Sequence, residues 1–395
     1  MNIVLISIHY PPIISSCAQQ IQDLALELKK KGHSPTIITS NPEAKKFYNE
    51  NFLNGIKVVT IKGFRIKGNY NYFFRGINDL VTPILMLILL FLNRFNFRLF
   101  KVIIWYSPSI FFSPLVYFIK KFSKAKTYLI LRDHYPEDLK NIGILKSKII
   151  FNLFRQFNKF QFKIADKIGV QSKNSKDYLK KYKIQKEKIE VLYNWSKNDN
   201  NISYSCLDTI TNDKKVLLFL GSMSISQYNK LVYKIINHFK SIQNIVILFV
   251  GTGSGLAEVK EFISKEDIKN VFIYNQIQPE YVKSLCEKCC AGLIFLNKNF
   301  DSHNIPGKFV SYLRAGLPVI ADINDKSDLA NLINDFKLGI VNTTMEYDEF
   351  LLKIESLIKN DKKMNEISIN CINFYYQNFT VDKKLDQILK ALNET

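Results

Sequence analysis

The sequence predicts an α/β protein with two doubly wound parallel sheets, one in each half of the chain. Short, almost entirely apolar runs alternate with helical stretches along both halves, which is typical of buried parallel strands joined by helices. The chain has 395 residues, enough for two ordinary domains. A polar segment at 198–215 divides the two sets of runs and is the predicted linker.

The first half opens with a predicted strand–helix–strand unit. An apolar run at 3–8 is followed by a helical stripe that ends at Gly32, and a second apolar run occupies 34–39. Because crossovers between parallel strands are right-handed, this unit begins a doubly wound sheet. Further strands of this half are predicted at 102–106, 127–131, the end of 165–172, and 190–194.

The second half repeats the pattern, with strands predicted at 216–220, 245–250, 271–274, 291–296 and 319–321. Glycines follow two of these strands, as Gly221-Ser222 and as Gly251-Thr252-Gly253. The third glycine of a dinucleotide motif would fall on Leu256, so that motif fails. We expect Gly221, Ser222, Gly251 and Gly253 to lie near a nucleotide, and a purely structural turn at 251–255 is the alternative.

The most informative segment of the chain is 302–321. It predicts a loop that enters a helix through Pro306 and Gly307, with Lys308 in the first turn and the helix end at Gly316. A helix N-terminus and a lysine that meet at one point form a favourable place for an anion, most often a phosphate. The segment therefore predicts an anion site.

This segment resembles the donor-binding motif of the retaining glycosyltransferases of family 4. Their GT-B fold has two Rossmann-like domains that face each other across a cleft. The resemblance implies that a nucleotide-sugar diphosphate and its ribose are held by His303, Asn304, Ile305, Pro306, Gly307, Lys308 and Ser311. Family members usually carry two glutamates where this chain has His303 and Ser311. The Ser311 hydroxyl would make a weaker hydrogen bond to the ribose.

Two places in the first half resemble the acceptor side of that family. Ser15 and Ser16 stand where a glycine pair is usual, and we expect their backbone N–H groups to contact a phosphate. The run Arg132-Asp133-His134 follows a predicted strand, at the sheet edge where open α/β sheets bind ligands. We expect Arg132 to bind the acceptor and Asp133 to position or deprotonate its hydroxyl. His134 and His303 are the alternates for that role. A salt-bridged structural loop is the other interpretation.

A narrower resemblance rests on several short runs taken together. LRDHYP at 131–136, SPSIF at 107–111, ADKIGVQS at 165–172 and VLYNW at 191–195 are similar to a branch that includes L-fucosamine transferases of bacterial surface-polysaccharide clusters. The branch implies transfer of an N-acetylated, often deoxy, amino sugar from a UDP-sugar to a polyprenyl-diphosphate-linked acceptor in O-antigen or capsule synthesis. The anomeric configuration is expected to be retained.

The resemblance also implies how the chain is divided and what it needs. Residues 1–200 are expected to bind the acceptor and face the membrane, residues 213–374 to bind the nucleotide sugar, and residues 375–395 to return to the first domain. The sequence has no D-x-D run, so we expect no metal, and no cofactor besides the UDP-sugar substrate. Six cysteines lack metal or disulfide spacing and are expected to be buried free thiols.

Charge is distributed unevenly along the chain. The net charge is +20, and residues 1–200 hold 33 Lys and Arg against 13 Asp and Glu, whereas the remainder holds 22 of each. A basic half indicates a polyanionic partner, either a membrane surface or a nucleic acid. No nucleic-acid-binding signature accompanies the charge, so we expect no nucleic acid partner and favour an anionic membrane surface.

Two apolar stretches flanked by cations, 80–92 and 110–119, are candidates for the membrane interface. Neither reaches the roughly twenty residues that span a bilayer, and a buried core helix is the alternative for 80–92. No secretory signal is predicted at the start of the sequence. The expected location is cytoplasmic, peripheral on the inner face of the cell membrane.

Two other functions remain open from the sequence. A sugar-nucleotide 2-epimerase shares the fold and would act on a UDP-sugar without an acceptor. A catalytically silent sugar-binding subunit is consistent with the missing glutamates at His303 and Ser311 and the missing glycine pair at Ser15 and Ser16.

Overall fold

The computed structural model describes residues 1–63, 72–107, 109–141, 143–197, 202–205, 207–211, 213–223, 231–298, 305–344 and 346–394. The chain divides into two compact units. One comprises Met1–Ser196 with Val381–Thr395, and the other Lys197–Thr380. Each unit has its own sheet and its own buried core.

The first unit is built on a sheet of eight strands in its described residues. These are β1 (Asn2–Ile6), β2 (Ser34–Ser40), β3 (Tyr48–Leu53), β4 (Ile56–Ile61), β5 (Val102–Tyr106), β6 (Lys126–Leu131), β7 (Lys167–Val170) and β8 (Ile189–Val191). Their order across the sheet is β3-β4-β2-β1-β5-β6-β7-β8. The pairs are parallel except for β3 with β4. The doubly wound sheet predicted for this half is therefore confirmed.

The antiparallel edge of this sheet is a hairpin that the sequence analysis did not include. Asn54 and Gly55 connect β3 to β4 with φ angles of 52° and 71°. Positive φ at both central residues is the requirement of a type I′ turn, and Asn-Gly is its preferred pair. The register places Leu53 opposite Ile56, as a two-residue connection requires.

Helices cover both faces of the first sheet. In chain order they are α1 (Ser16–Lys30), α2 (Tyr72–Leu92), α3 (Ser113–Ser123), α4 (Glu137–Asn141), α5 (Lys148–Ile164) and α6 (Lys173–Lys180). Side chains alternate along each strand, so Trp105 packs into the core beneath α2, α3 and α5, whereas Ile104 packs into the core beneath α1.

The two stretches expected at a membrane interface have different environments. The side chains of Ile110, Leu115 and Ile119 are at most 1% exposed and fill the core beneath the sheet, whereas Tyr117 is 47% exposed. Most of 110–119 is therefore core. The stretch 80–92 forms the second half of α2 and has one buried and one exposed side. Among the described residues, none of the helices is both long and apolar enough to cross a membrane.

The second unit has a sheet of six parallel strands in its described residues. They are β9 (Lys215–Leu220), β10 (Ile245–Val250), β11 (Val271–Tyr274), β12 (Ala291–Phe295), β13 (Val319–Asp322) and β14 (Gly339–Asn342). The order is β11-β10-β9-β12-β13-β14. Its helices are α7 (Asp208–Thr211), α8 (Leu231–Phe239), α9 (Ser254–Lys265), α10 (Val282–Glu287), α11 (Gly307–Arg314), α12 (Asp328–Asp335), α13 (Tyr347–Lys359) and α14 (Asp361–Asn378).

The segment predicted as a linker has structure of its own where it is described. It includes α7, and Tyr204 connects it to α10: the Tyr204 N–H donates to Ser284 Oγ at 2.9 Å and Lys288 Nζ donates to the Tyr204 carbonyl at 2.6 Å. The described cysteines, Cys17, Cys286, Cys289, Cys290 and Cys371, are free thiols. Cys206 lies outside the described residues.

The last helix, α15 (Val381–Asn393), belongs to the first unit. Leu385, Ile388 and Leu392 are buried in the same core as Ile21 and Leu24 of α1. Gln387 Nε2 donates to Glu190 Oε2 at 3.0 Å and to the Val191 carbonyl at 2.9 Å, which ties the helix to β8. The chain re-enters this unit at Val381, whereas the sequence analysis placed the return at residue 375.

Candidate functional site

Each sheet has one point where the strand order reverses. In the first unit the reversal lies between β1 and β5, and in the second between β9 and β12. Loops that leave the carboxyl ends of the two strands diverge there, and open α/β sheets bind ligands in the resulting crevice. The predicted site residues follow the strands at these edges, so each unit has a candidate site of its own.

Helix α11 brings Lys308 to the reversal point of the second sheet. The helix begins at Gly307, after Pro306 in extended conformation, and Lys308 lies in its first turn. Lys308 Nζ lies 3.5 Å from the centroid of the Phe219 ring on β9. Its Cε would be 4.0 Å from a β-carbon placed on Gly221, the residue that follows β9. Lys308 therefore lies across the carboxyl end of β9. A ligand bound at that edge of the sheet would contact it.

Burial shapes the chemistry of Lys308. The side chain is almost fully buried, and burial lowers the pKa of Lys308 well below its ordinary value. The electron-rich face of Phe219 partly offsets the lost hydration of the ammonium group. A phosphate bound beside the lysine would raise the pKa again, because an opposite charge favours the protonated form.

Tyr312, which the sequence analysis missed, fixes α11 at this place. Its hydroxyl accepts the Leu220 N–H at 3.0 Å and lies 3.1 and 3.2 Å from the carbonyl oxygens of Leu218 and Leu293. A β-carbon on Gly292 would meet the Tyr312 ring at 2.4 Å, so the glycine in β12 makes room for the tyrosine. One side chain thus joins α11 to both strands of the reversal point, one turn after Lys308.

The glycines after β9 and β10 allow two loops to interlock. A β-carbon on Gly251 would lie 1.8 Å from the Gly221 carbonyl oxygen, and Gly253, with φ of 121°, approaches Met223. The Met223 N–H donates to the Thr252 carbonyl at 2.8 Å. Gly251 and Gly253 also line a cavity of about 460 Å³ at the carboxyl ends of β10 and β11. Close packing thus requires the glycines of the turn at 251–253. The same turn also borders the cavity.

The structure describes some of the remaining residues that were predicted to bind the donor. Ile305 is buried and precedes Pro306, while Ser222 is exposed beside Gly221. Ser311 Oγ lies 3.5 Å from the Gly307 carbonyl oxygen, one turn along α11. His303 and Asn304 lie outside the described residues.

In the first unit, the two predicted acceptor serines begin α1. Ser15 is the N-cap, and its Oγ accepts the Ala18 N–H at 3.1 Å. Ser16 Oγ accepts a hydrogen bond from Gln20 Nε2 at 3.3 Å. Both hydroxyls therefore stabilise the helix start, which leaves the backbone of this turn as the group by which the serines would contact a ligand.

Arg132 is a buried cation between two aromatic rings. Its guanidinium carbon lies 5.8 Å from the Tyr106 ring centroid and 5.2 Å from that of Trp195, and Nη1 donates to the Leu192 carbonyl at 2.7 Å. Burial lowers the pKa of Arg132. Lys384 of α15 is a second buried cation nearby, and burial together with Arg132 lowers the pKa of Lys384 to about 8.

Asp133, the expected base, is partly buried and follows Arg132 at the carboxyl end of β6. It lies close enough to Cys17 and Tyr106 for its charge to raise the pKa of both groups, after the larger effect of their burial. Cys17 belongs to the first turn of α1, and its Sγ is 3.0 Å from Ser7 Oγ. The loops after β1, β5 and β6 therefore meet around this carboxylate.

His134 has a different environment from Asp133. Its ring is 5% exposed and stacks on Tyr178 of α6, with centroids 4.0 Å apart and planes at 10°. The His134 N–H donates to Asp138 Oδ2 at 2.8 Å. A ring packed in this way contributes to the rigidity of the loop, and His134 is more buried than Asp133.

A tyrosine–glutamate network holds the loop that carries Asp133. The hydroxyls of Tyr178 and Tyr182 donate to the two carboxylate oxygens of Glu137 at 2.7 and 2.6 Å. Asn158 Nδ2 donates to the Tyr135 carbonyl at 2.6 Å and to the Tyr178 hydroxyl at 2.8 Å. These bonds tie the loop to α5 and α6. The members of the network are far apart in the chain, so no local pattern in the sequence predicts it.

Asp138 completes this loop and titrates near neutrality. Burial raises the pKa of Asp138 to about 7, and the charges of Asp133 and Glu137 raise it further, against the hydrogen bond from the His134 N–H. Across the described residues, His, Cys, Asp and Glu side chains form no cluster of three that could hold a metal ion.

Two Rossmann-like units, each with a candidate site at a strand-order reversal, define the GT-B class of α/β proteins. The chain is similar over its whole length to solved structures of that fold. Sucrose-phosphate synthase from Thermosynechococcus elongatus has a TM-score of 0.74 at 12% identity, with 100% of this chain and 98% of that chain covered. Anabaena Alr3699/HepE, in complex with UDP and glucose, has a TM-score of 0.70 at 14% identity, with both chains fully covered.

Sequence comparisons identify the kind of protein within that class. Residues 18–195 match the family described as Glycosyltransferase Family 4, and residues 208–374 match Glycosyl transferases group 1. An uncharacterized glycosyltransferase of Methanocaldococcus jannaschii, MJ1069, is 20% identical, with 99% of this chain and 97% of that protein covered. Both halves therefore carry glycosyltransferase domains, and the protein is a glycosyltransferase enzyme with the GT-B fold.

Proposed function

We propose that the enzyme moves an N-acetylated, often deoxy, amino sugar from a UDP-sugar to a polyprenyl-diphosphate-linked acceptor during O-antigen or capsule synthesis. The observation that carries the proposal is Lys308, a buried lysine in the first turn of α11, at the strand-order reversal of the second sheet. This is the place and the charge that a nucleoside diphosphate requires.

The leaving group determines what Lys308 does. When the bond between the sugar and UDP breaks, negative charge develops on the diphosphate oxygens. Lys308 and the N-terminal N–H groups of α11 would stabilise that charge, and a fixed cation in a dry site costs no reorganisation during the reaction. We propose that this counter-charge serves in place of a metal ion, in agreement with the absence of a D-x-D run from the sequence.

The donor is proposed to be a UDP-sugar. The Anabaena structure with UDP and glucose supports this choice of nucleotide, since that protein shares the fold over its whole length. Gly221, Gly251 and Gly253 would let the backbone approach the nucleotide, and Ser311 would contact the ribose in place of the usual glutamate. The combined resemblance of the runs at 107–111, 131–136, 165–172 and 191–195 to L-fucosamine transferases supports the amino sugar.

The acceptor is proposed to bind at the carboxyl edge of the first sheet. Asp133 would orient or deprotonate the attacking hydroxyl, and Arg132 would offer positive charge to the acceptor. Attack from the face that the leaving group occupied would retain the anomeric configuration. The positive charge of residues 1–200 supports work beside an anionic membrane, where a polyprenyl-linked acceptor resides.

The proposal can be tested with purified protein, a panel of UDP-linked amino sugars and UDP-glucose, and a polyprenyl-diphosphate-linked monosaccharide. Mass spectrometry should find the acceptor heavier by one N-acetylamino sugar, with equimolar release of UDP and with an unchanged anomeric configuration by NMR. Epimerised sugar nucleotide in the absence of acceptor would instead identify an epimerase. No UDP release with any donor would identify a silent sugar-binding protein.

A further inference from the structure

The second half of α2 has an apolar side that faces outward. Residues 80–92 include no charged side chain. Met86 and Leu90 are buried in the core beneath the helix, but Ile84 and Ile88 are each 50% exposed. Phe91 and Leu92, at 55% and 72% exposure, continue the same stripe at helical spacing. The helix therefore presents apolar side chains to its surroundings as well as to the core.

The outward stripe extends from α2 onto α3. The Phe91 ring packs against Phe118 with centroids 5.4 Å apart, and Phe118 packs against Phe122 at 4.7 Å. Phe122 is 42% exposed. We call the exposed set formed by Ile84, Ile88, Phe91, Leu92 and Phe122 the outer apolar face. Because its members lie on two packed helices, it is a continuous surface of the first unit.

Cations without acidic partners border the outer apolar face. No Asp or Glu occurs between Asp79 and Asp133, whereas eight Lys or Arg do. The exposed ones closest in sequence to the face are Arg94, Arg98, Lys121 and Lys124, and among the described residues none of the four forms an ion pair with a carboxylate. Lys120 differs, since it pairs with Asp166 at 2.7 Å.

We propose that the outer apolar face and its border of cations dock the enzyme on an anionic lipid bilayer, with the exposed side of α2 in the interface plane. An apolar stripe flanked by lysine and arginine is the pattern of an interfacial helix. A second copy of the chain fits poorly, because a two-fold contact would bring both sets of cations together. The inference rests on the proposed function and specifies its membrane-facing surface.

Vesicle sedimentation tests the docking surface. Wild-type protein is mixed with vesicles of phosphatidylcholine alone or of phosphatidylcholine and phosphatidylglycerol at a ratio of about 70:30, and should bind the anionic vesicles more tightly. The double variant Ile84→Ser/Ile88→Ser should bind the anionic vesicles at least about tenfold more weakly. Arg98→Gln/Lys121→Gln should bind anionic vesicles about tenfold more weakly, and its binding should depend less on salt than that of the wild type.

Matched controls come from the second unit. Leu352→Ser/Ile369→Ser removes two side chains with 62% and 60% exposure on α13 and α14, and Lys362→Gln/Lys363→Gln removes two exposed cations. Both controls should bind vesicles as the wild type does. Equal loss in a control, or wild-type binding by Ile84→Ser/Ile88→Ser, would overturn the proposal. So would a wild-type dimer, seen by sedimentation equilibrium, that the Ile84→Ser/Ile88→Ser change dissociates.

A transfer assay separates this inference from the proposed function. With an acceptor on a short, water-soluble lipid, Ile84→Ser/Ile88→Ser should keep wild-type turnover, and with the long polyprenyl acceptor in vesicles it should lose turnover about tenfold. If the wild type bound vesicles as expected but transferred sugar to no lipid-linked acceptor, the docking surface would be supported and the proposed acceptor would be wrong. Equal loss of turnover with both acceptors would contradict docking as the role of this face.

Discussion

Burial of Lys308 is energetically unfavourable, and the same residue is the proposed counter-charge of the leaving diphosphate. A buried ammonium group without water is unfavourable, and the lowered pKa of Lys308 expresses that cost. The Phe219 ring beneath Nζ offsets a part of it. A buried cation interacts more strongly with a diphosphate than an exposed one does, because the surroundings screen the charges less.

We expect Lys308→Ala to lower kcat by about 10²–10³-fold, because the departing diphosphate would lose its counter-charge. Lys308→Met, which keeps the length and removes the charge, should lose about as much. Steady-state kinetics with a saturating donor measures the effect, and circular dichroism checks that both variants fold. Near-normal turnover in Lys308→Met would show that the charge of the lysine has no part in the reaction.

Single residues were predictable from sequence when local rules selected them. Lys308 and Gly251 follow from the order of strand, turn and helix, which adjacent residues encode. Tyr312 and Gly292 were missed, since the tyrosine hydroxyl bonds to backbone groups of two strands that are distant in sequence. Nothing in a helix such as 307–314 indicates which of its residues will reach across a sheet. Such contacts become visible only in the folded chain.

At the scale of elements, the loop between β6 and α4 is held by side chains from two other helices. Glu137 receives hydrogen bonds from Tyr178 and Tyr182 of the α6 region, and Asn158 of α5 binds the Tyr135 carbonyl. Each bond is modest, but together they restrict the backbone that carries Asp133. This network is a positioning device, because its members act on the acceptor site through the loop.

We expect Glu137→Gln to lower kcat about tenfold while the KM for the donor stays unchanged. Glutamine keeps the size of the side chain, but its amide nitrogen cannot accept the second tyrosine hydroxyl, so the loop loses an anchor worth about 1–3 kcal/mol. Steady-state kinetics and thermal unfolding provide the measurement, with exposed Glu187→Gln as the control. A rise in donor KM with unchanged kcat would contradict the positioning role.

The raised pKa of Asp138 determines the direction in which the free energy of unfolding changes with pH. The folded pKa of about 7 lies above the ordinary value of 3.8, so the folded state binds more protons in that window. The free energy of unfolding should therefore fall as pH rises from 4 to 7, by at most about 4 kcal/mol from this group. The stability advantage of Asp138→Asn over the wild type should be smallest at pH 4 and should grow as pH rises to 8, as measured by urea midpoints. Parallel pH profiles for the two proteins would refute this assignment.

Elements were predictable to the extent that burial leaves a pattern in the sequence. The apolar runs of β1, β5, β6, β9, β10 and β12 were found because strands buried on both faces contain few polar residues. The edge strand β3, with four exposed residues, carries no such run and was missed, although Asn54-Gly55 was a usable signal for its hairpin. Most of the apolar stretch at 110–119 is buried in the core, which its sequence did not reveal, since hydrophobicity alone does not distinguish a core from an interface.

At the scale of the molecule, the two units are both built on a doubly wound sheet but differ in net charge. They also differ in continuity, because the first is formed by two separate stretches of chain and the second by one. The basic excess lies within residues 1–200, nearly all of which belong to the first unit, whereas Lys308 and the loops of the second unit form the proposed donor site. The chain enters the second unit at Lys197 and returns to the first at Val381. Sequence patterns predict the two sheets, but the destination of the last helix was expected from the family resemblance alone, because an amphipathic helix does not identify its partner.

The returning helix should be essential to the first unit and dispensable to the second. Deletion of 381–395 removes the buried side chains of Leu385, Ile388 and Leu392, whose contacts contribute roughly 5 kcal/mol in total, and uncovers Ile21 and Leu24. Hydrogen exchange should accelerate in α1 and β1 of the truncated protein and stay unchanged in β9 and β10. Removal of only 393–395, where Asn393 and Glu394 are exposed, is the matched control and should leave exchange in α1 as in the full chain. Unaltered protection of α1 after the longer deletion would mean that the first unit folds without its final helix. Residues 381–395 would then contribute nothing to the stability of residues 1–196.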